Sequence, residues 1–504
     1  MNKPDCLLGI DLGTSSVKLL LKYRDGRTVK ARESYAEPAP LGWWRAIKKA
    51  LSRLELQGLG AIGLSSQVGT YVVDNREVIS WGGKEGAEEL AEIREHWSRD
   101  FFLQEISMPH PNLISYPIPR LLYIKRHYPE AEKVCQPKDF LCEMLTGSYV
   151  TDPWSWRGLT KMPGAPSIQS SRRQENQTVD PDFQSSRRQE NQIGDSHIHP
   201  NRGLTDVSGC TYSRICLERI GFPFSKLPEM RSPLDLAGFT KEIPIEGGVL
   251  PAGIPVFVGM NDFFASLLGM GVLEPGSLFD ISGTSEHLGI VEERIHPDTE
   301  LVSGPYLSGN VHYGVTASGG ASLAYGMELF GYEEVHPAQN LDRTPPIFLP
   351  YINGERAPIW DADARGMFFG IHGDCRKSDM AYGVLEGVLF SLWHIYEYMG
   401  KPRADSMRVS GGAASNAVLN QMKAELFGVP VLVPKETETS ALGACMTAAV
   451  GLGWFSDYRE AAERFCAIRE CVSPWGQYKR MLEQRFAIYK ELYPATKKLL
   501  GDGF

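Results

Sequence analysis

Apolar and polar positions alternate along the chain in a way that marks α/β structure. Leu7 to Ile10 is a short apolar run. It gives way to Asp11-Leu12-Gly13-Thr14-Ser15-Ser16, and apolar character resumes from Val17 to Leu21. That order predicts a β-hairpin with a polar, glycine-bearing tip. Helical spacing follows from Trp43 to Leu54, then two more strands at Ala61–Leu64 and Tyr71–Val73. Beyond the turn Pro251–Pro255 the pattern repeats. It predicts strands at 256–258, 277–281, 289–292 and 408–410, and helices at 321–330, 380–399 and 417–427. A last amphipathic helix is expected over 476–492, with Tyr478, Met481, Phe486, Ile488 and Leu492 turned to the core. The domain boundary is expected near 245–254, giving units of 1–248 and 249–504.

The stretch 164–208 breaks the pattern. It carries QSSRRQENQ twice, at 169–177 and 184–192, and Phe183 is its lone aromatic residue. Such a composition cannot support a core, so a duplicated, unstructured surface insertion is expected. A basic docking loop is the alternative.

With 504 residues, 42% hydrophobic and 22% charged, the chain has ordinary globular composition and can bury a large core without metals or disulfides. Its net charge of −9 speaks against nucleic acid or an acidic membrane surface as a partner. Nine cysteines without a CxxC pair read as reduced thiols of a cytoplasmic protein. The amino terminus shows no secretory signal, and no apolar run reaches the roughly 20 residues of a membrane span.

Four segments carry candidate chemistry. In GIDLGTSSVK (9–18), Gly13, Thr14 and Ser15 offer N–H groups and hydroxyls to a phosphate, and Asp11 stands where it could hold Mg²⁺, directly or through water. DISGTSEHLGI (280–290) repeats that logic with Gly283, Thr284 and Ser285, so two hairpins could clamp a polyphosphate from two sides. In VSGGAASNAVLNQ (409–421), Gly411 and Gly412 allow close approach of backbone to a flat ligand, and Ser415 or Asn416 could cap the following helix or contact it. In VFVGMNDFFASLLGMG (256–271), Asp262 follows a buried strand at the start of an apolar helix. A carboxylate there suits deprotonation of a hydroxyl attacking a phosphoryl group, and it suits a helix N-cap equally well.

Taken in this order, these segments resemble the FGGY carbohydrate kinases of the actin/hexokinase/Hsp70 ATPase superfamily. The resemblance covers nearly the whole chain outside 164–208. GIDLGTSSVK is similar to the first phosphate motif, Gly283-Thr284-Ser285 to the second, and SGGAASN (410–416) to the adenosine motif. ETSALGACMTA (438–448) is similar to the closing small-residue helix. PYINGERAPIWDADARGMFFGI (350–371) resembles a segment of xylulokinase-type members. Gly366 to Glu386 fits the second FGGY signature. Pro117 to Tyr123 resembles the first, with Arg120 for the usual Lys and Tyr123 for the usual Trp.

The resemblance implies two RNase H-like domains flanking a cleft, with ATP and Mg²⁺ as cofactors and a small sugar as partner. A homodimer is compatible with it. It implies Asp262 as catalytic base and Asp11 near the metal. It implies Gly13, Thr14, Ser15, Lys18, Gly283, Thr284, Ser285, Gly411, Gly412, Ala413 and Asn416 on the nucleotide. Gln67, Val68, Trp81, Asn261, Asp262 and Phe263 then fall on the acceptor side.

Departures from the family's pattern cluster on that acceptor side. Val68-Gly69 replace Met-His or Arg-Glu after Gln67. Phe263 follows the base where Asn, Gln or Gly is usual. Gly83 falls within the altered run Trp81-Gly82-Gly83-Lys84-Glu85. A pentulose or related sugar is the first expectation for the acceptor, resting on Asp262 and both phosphate hairpins. Gluconate, a hexulose or a polyol is the alternative. A catalytically degenerate nucleotide- or sugar-binding protein is the reading from another class.

Overall fold

The structure is a computed structural model that describes residues 5–108, 111, 113–161, 209–294, 296, 301–307 and 309–499. The repeat at 169–177 and 184–192 lies outside the described residues.

Two seven-stranded sheets dominate. The first is built from β1 (Cys6–Leu12), β2 (Ser16–Tyr23), β3 (Thr28–Ser34), β4 (Leu59–Ser66), β5 (Leu236–Phe239), β6 (Pro255–Phe257) and β7 (Met260–Asn261). Its order is β5-β6-β4-β1-β2-β3, with β7 also paired to β4. The second contains β8 (Ser277–Ser282), β9 (Glu286–Glu292), β10 (Val302–Tyr306), β11 (Gly309–Thr316), β12 (Ser406–Gly411), β13 (Val431–Pro434) and β14 (Ile468–Val472). Its order is β10-β11-β9-β8-β12-β13-β14.

The sheets share one plan. A hairpin opens each, β1/β2 in one and β8/β9 in the other, and a third antiparallel strand adds to its outer side. A parallel strand lies on the inner side, β4 against β1 and β12 against β8. Every residue of β1 is buried, because helices cover both faces of the sheet and no alternation is possible. The sequence hairpins are found where expected. The first sheet reaches Asn261, past the 245–254 boundary, because β6 and β7 pair with β4 in parallel.

Six helices complete the frame: α1 (Pro40–Leu51), α2 (Asp262–Met270), α3 (Lys377–Tyr398), α4 (Ala417–Phe427), α5 (Thr439–Gly451) and α6 (Lys479–Thr496). Trp43 and Ile47 of α1 pack under the first sheet, while α3, α4 and α6 share the core of the second. Helix α5 belongs to the second half of the chain yet lies on the first sheet. A Cβ at Gly9 would sit 2.0 Å from the Ala441 carbonyl oxygen, and one at Gly443 would sit 1.9 Å from that of Ala265 in α2. Glycine at these points lets β1, α5 and α2 meet backbone to backbone, which ties the two halves together.

The expected inner face of α6 is corrected. Phe486 and Leu492 are buried, but Met481 and Ile488 are exposed, and the helix starts after Tyr478. The buried stripe is Leu482, Phe486, Tyr489 and Tyr493, spaced to fall on one helical face. Among the described residues no helix is long and apolar enough to cross a membrane.

Candidate active site

Three parallel strands of the first sheet end at one level. Leu12 of β1 pairs with Ser66 of β4, and Ser66 pairs with Asn261 of β7. The residues just past these strand ends are Gly13, Gln67 and Asp262. Ligands of α/β folds collect at such carboxyl ends, because the backbone there splays and helices begin.

Asp262 is the first residue of α2, but it is not the N-cap. Asn261 is: its Oδ1 accepts from the Phe264 N–H at 3.1 Å. The same Asn261 donates Nδ2 to the Trp154 carbonyl at 2.9 Å. Both polar ends of Asn261 thus make hydrogen bonds within the protein. Capping by Asn261 leaves the Asp262 carboxylate available. One oxygen accepts from the Phe263 N–H at 2.9 Å. Burial first, and then the nearby Asp11 charge, push its pKa up to about 7, partly offset by the N–H groups of Phe263 and Val68 and by Lys18. A carboxylate poised near neutrality can take a proton from a hydroxyl.

Asp11 is buried between two hydroxyl donors, Ser65 at 3.0 Å and Ser440 at 2.6 Å. Burial raises its pKa, and Lys18 and the two hydroxyls pull against that rise. Lys18 pairs with Glu438 at 2.8 Å, at the start of α5. Burial disfavours the Lys18 charge, but Asp11 and Glu438 outweigh it and hold the ammonium above its usual range. Lys18 therefore sits in a charge network with Asp11 and Glu438. Thr14 and Ser15 are exposed at the hairpin tip. The Gly13 carbonyl accepts from the Tyr35 hydroxyl, and the Gly13 N–H donates to Ser16 O at 3.0 Å.

Gln67 is buried, and its Nε2 has no partner. Val68 exposes its side chain while its N–H faces Asp262. Trp81 donates Nε1 to Thr14 Oγ1 at 3.2 Å, joining the altered 80–85 loop to the first hairpin. That loop wraps the fully buried Arg120, which donates to the carbonyls of Ser80 at 2.7 Å and Gly83 at 3.1 Å. The ring of Phe263 stacks on Tyr313 at 4.5 Å and lies 5.6 Å from His287. Burial, then Arg356, lower the His287 pKa to about 4, so the imidazole is neutral at physiological pH.

The second hairpin exposes Gly283 and Thr284. Ser285 Oγ accepts from Arg356 Nη1 at 3.3 Å. Arg356 is fixed by its neighbour. Buried Glu355 accepts from the N–H groups of Ala317 and Arg356, both at 2.7 Å, and from the hydroxyls of Thr316 and Ser318. At the β12 end, Gly411 has φ +83°, and a Cβ there would lie 1.8 Å from Ser282 O. Gly412 faces open space. The Ala413 N–H donates to Ser282 Oγ at 2.9 Å. Asn416 Oδ1 accepts from the Leu419 N–H at 3.0 Å. That bond caps α4.

Residues 280–452 match the model of the C-terminal domain of the FGGY family of carbohydrate kinases. Over 99% of this chain and 98% of the relative, the sequence is 26% identical to xylulose kinase of Staphylococcus epidermidis (strain ATCC 12228 / FDA PCI 1200). Over residues 280–452 the chain thus resembles the C-terminal domain of the FGGY carbohydrate kinases, and over its length it is similar to xylulose kinases. Its fold is similar to that of the ligand-bound xylulose kinase from Lactobacillus acidophilus, with a TM-score of 0.75, 20% identity and 98% coverage of each chain. It is also similar to gluconate kinase from the same organism, with a TM-score of 0.75, 20% identity, 99% of this chain and 98% of that one.

In this chain the two hairpins and the β12 turn mark the ends of matching strands in two like sheets. Sequence reasoning missed Ser65, Ser440, Glu438, Tyr35 and Arg356. Each meets its partner across long separations in the chain, 429 residues for Ser440 and Asp11.

Proposed function

We propose that this chain is an ATP-dependent carbohydrate kinase that transfers a phosphoryl group to a hydroxyl of a pentulose or related polyhydroxylated acceptor, with Asp262 as general base. The observation that carries the reading is the Asp262 carboxylate. It is relieved of helix capping by Asn261 and poised at about 7 by burial and by Asp11. It takes the hydroxyl proton as the oxygen attacks. Gln67 Nε2, a buried donor without a partner, orients the acceptor from the neighbouring strand end. The tips at 13–15 and 283–285 bind the polyphosphate through N–H groups and hydroxyls, with Arg356 beside Ser285 adding positive charge. Gly411 and Gly412 admit the nucleoside.

The donor set fits a magnesium ion. Each Asp11 oxygen accepts one hydroxyl bond and keeps a lone pair, and the Lys18 charge acting on it is shared with Glu438, which leaves Asp11 able to hold a cation. Bound through water at Asp11, Mg²⁺ would neutralise polyphosphate charge. Contact between the halves excludes water, so that the acceptor hydroxyl outcompetes hydrolysis. We divide the chain after Asn261, the last residue of the first sheet, and we assign the protein to the cytoplasm, in keeping with the buried thiols of Cys6, Cys135, Cys142, Cys216 and Cys445.

The test is ADP release with and without a panel of pentuloses, hexuloses, polyols and sugar acids. Acceptor-stimulated release that drops by about 10²–10⁴-fold in Asp262→Asn, with ATP binding kept, is the expected result. Full turnover in that variant would remove Asp262 as the base. ATP binding without release across the whole panel would favour a non-catalytic nucleotide-binding protein.

A further inference from the structure

Arg157 lies in the loop after Thr151, where the first half of the chain meets the second. Its guanidinium carbon is 5.2 Å from the centre of the Phe264 ring in α2. On another side it presses on the backbone of β10, where a Cβ at Gly304 would lie 2.1 Å from Nη2. Nε, Nη1 and Nη2 are sealed from solvent, and none of the three has a hydrogen-bond partner. Burial lowers its pKa. The groups acting on its charge are the phenols of Tyr313 and Tyr116, with no carboxylate among them.

Other buried cations in this protein are not left this way. Lys138 lies between Asp139 and Asp152, and Lys423 between Asp280 and Glu286. Arg485 meets Glu386, and Arg120 is ringed by carbonyls and Glu85. An unpaired buried charge costs several kcal/mol, roughly the margin that breaking a buried ion pair takes from a protein. Folds keep such a group where a ligand supplies the partner.

The place of Arg157 says which ligand. Its loop accepts the Asn261 side-chain N–H at the Trp154 carbonyl, and Asn261 caps the helix that Asp262 heads. Tyr313, which flanks the guanidinium, stacks on Phe263, the residue after Asp262. Arg157 therefore stands behind the Asn261–Phe264 turn that presents Asp262. Resting on the kinase reading above, we propose that Arg157 receives the carboxylate of the acceptor, and that the acceptor is a sugar acid whose hydroxyl end faces Asp262. A guanidinium holds a carboxylate through two parallel N–H donors. One fixed positive charge balances one carboxylate, whereas a phosphate dianion would leave an uncompensated charge in the same sealed space. The acid enters before the two halves meet. Its carboxylate then removes the penalty for closing Gly304 and Tyr313 over Arg157, so closure follows acceptor binding.

The experiment compares D-gluconate with its neutral counterpart D-glucitol, with D-xylulose and with D-glucose 6-phosphate. Each is tested by ADP release and, without ATP, by calorimetry. The acid should exceed glucitol in kcat/KM by about 100-fold or more. Arg157→Met should cut that ratio by about 100-fold, and Arg157→Lys should restore part of it. The inference is overturned if glucitol or xylulose is used as well as the acid. It is also overturned if the sugar phosphate is preferred, or if folded Arg157→Met keeps the wild-type ratio. Arg157-dependent gluconate binding without phosphoryl transfer to any acceptor overturns the kinase reading and sustains this one. Should Arg157→Met not fold, the wild-type panel alone decides.

Discussion

Asp262 passes through its ionisation near neutral pH, with opposite consequences for activity and for stability. Its pKa is raised to about 7 from 3.8, by burial first and by Asp11 second. Since kcat/KM follows the free enzyme, it should climb about tenfold per pH unit up to about pH 7 and flatten above it. Stability moves the other way. A folded pKa above the unfolded value means that the folded state holds the proton more tightly. That contribution is complete below about pH 4 and is lost as pH rises through about 7. A rise of about three units bounds the effect at about 4 kcal/mol. The carboxylate keeps an open side, and solvent screening brings the working range to about 1–3 kcal/mol. Asp262→Asn cannot ionise. At about pH 8 it should therefore be more stable than the wild type by that amount, converging on it at about pH 4.5, while kcat falls by about 10²–10⁴-fold. Urea melts at several pH values and coupled rates over the same range measure both. A flat kcat/KM profile, or an Asn variant no more stable at alkaline pH, would refute a buried base at this position.

Three further outcomes follow from the same geometry. Asp11→Asn removes the second cause of the Asp262 shift, so the residual kcat/KM profile should move its midpoint to lower pH; an unmoved midpoint means that the carboxylates do not sense each other. Gly411→Ala places a Cβ 1.8 Å from Ser282 O at φ +83°. It should cost about 1–3 kcal/mol and raise the KM for ATP, both read from melts and kinetics. Lys423→Met strands Asp280 and Glu286, whose mutual repulsion and burial already push Asp280 up to about 8. A loss of about 3–5 kcal/mol in chemical denaturation is expected, and a neutral result would mean that the Lys423 charge does not stabilise the fold.

The hairpins, the β12 turn and helix α4 were legible because each is a local pattern: an apolar run, a glycine-bearing polar turn, another run. The boundaries of α4 coincide with the expectation of 417–427. The inner face of α6 was not legible. Apolar residues occur all round that helix, and the choice between Met481 and Leu482 depends on what lies opposite. The capping role of Asn261 was not legible either. Asn and Asp are both good caps, and sequence cannot say which of two adjacent cap formers begins the helix. Arg157 carried no signal, since a lone arginine in a loop is usually solvated.

By itself the sequence determined the repeated strand–turn–strand logic, the likeness to the FGGY kinases and the carboxylate at 262, because these rest on local periodicity and on short contiguous motifs. Tertiary structure alone decided what that carboxylate can do. Asn261 takes the capping duty, and Asp11 arrives from the first strand with Ser440 from α5. Burial by both halves then lifts Asp262 into the neutral range. Tertiary structure also left Arg157 sealed and without a hydrogen-bond partner beside Phe264. Burial and charge partnership are properties of the assembled whole, set by groups hundreds of residues apart, and no stretch of sequence encodes them alone.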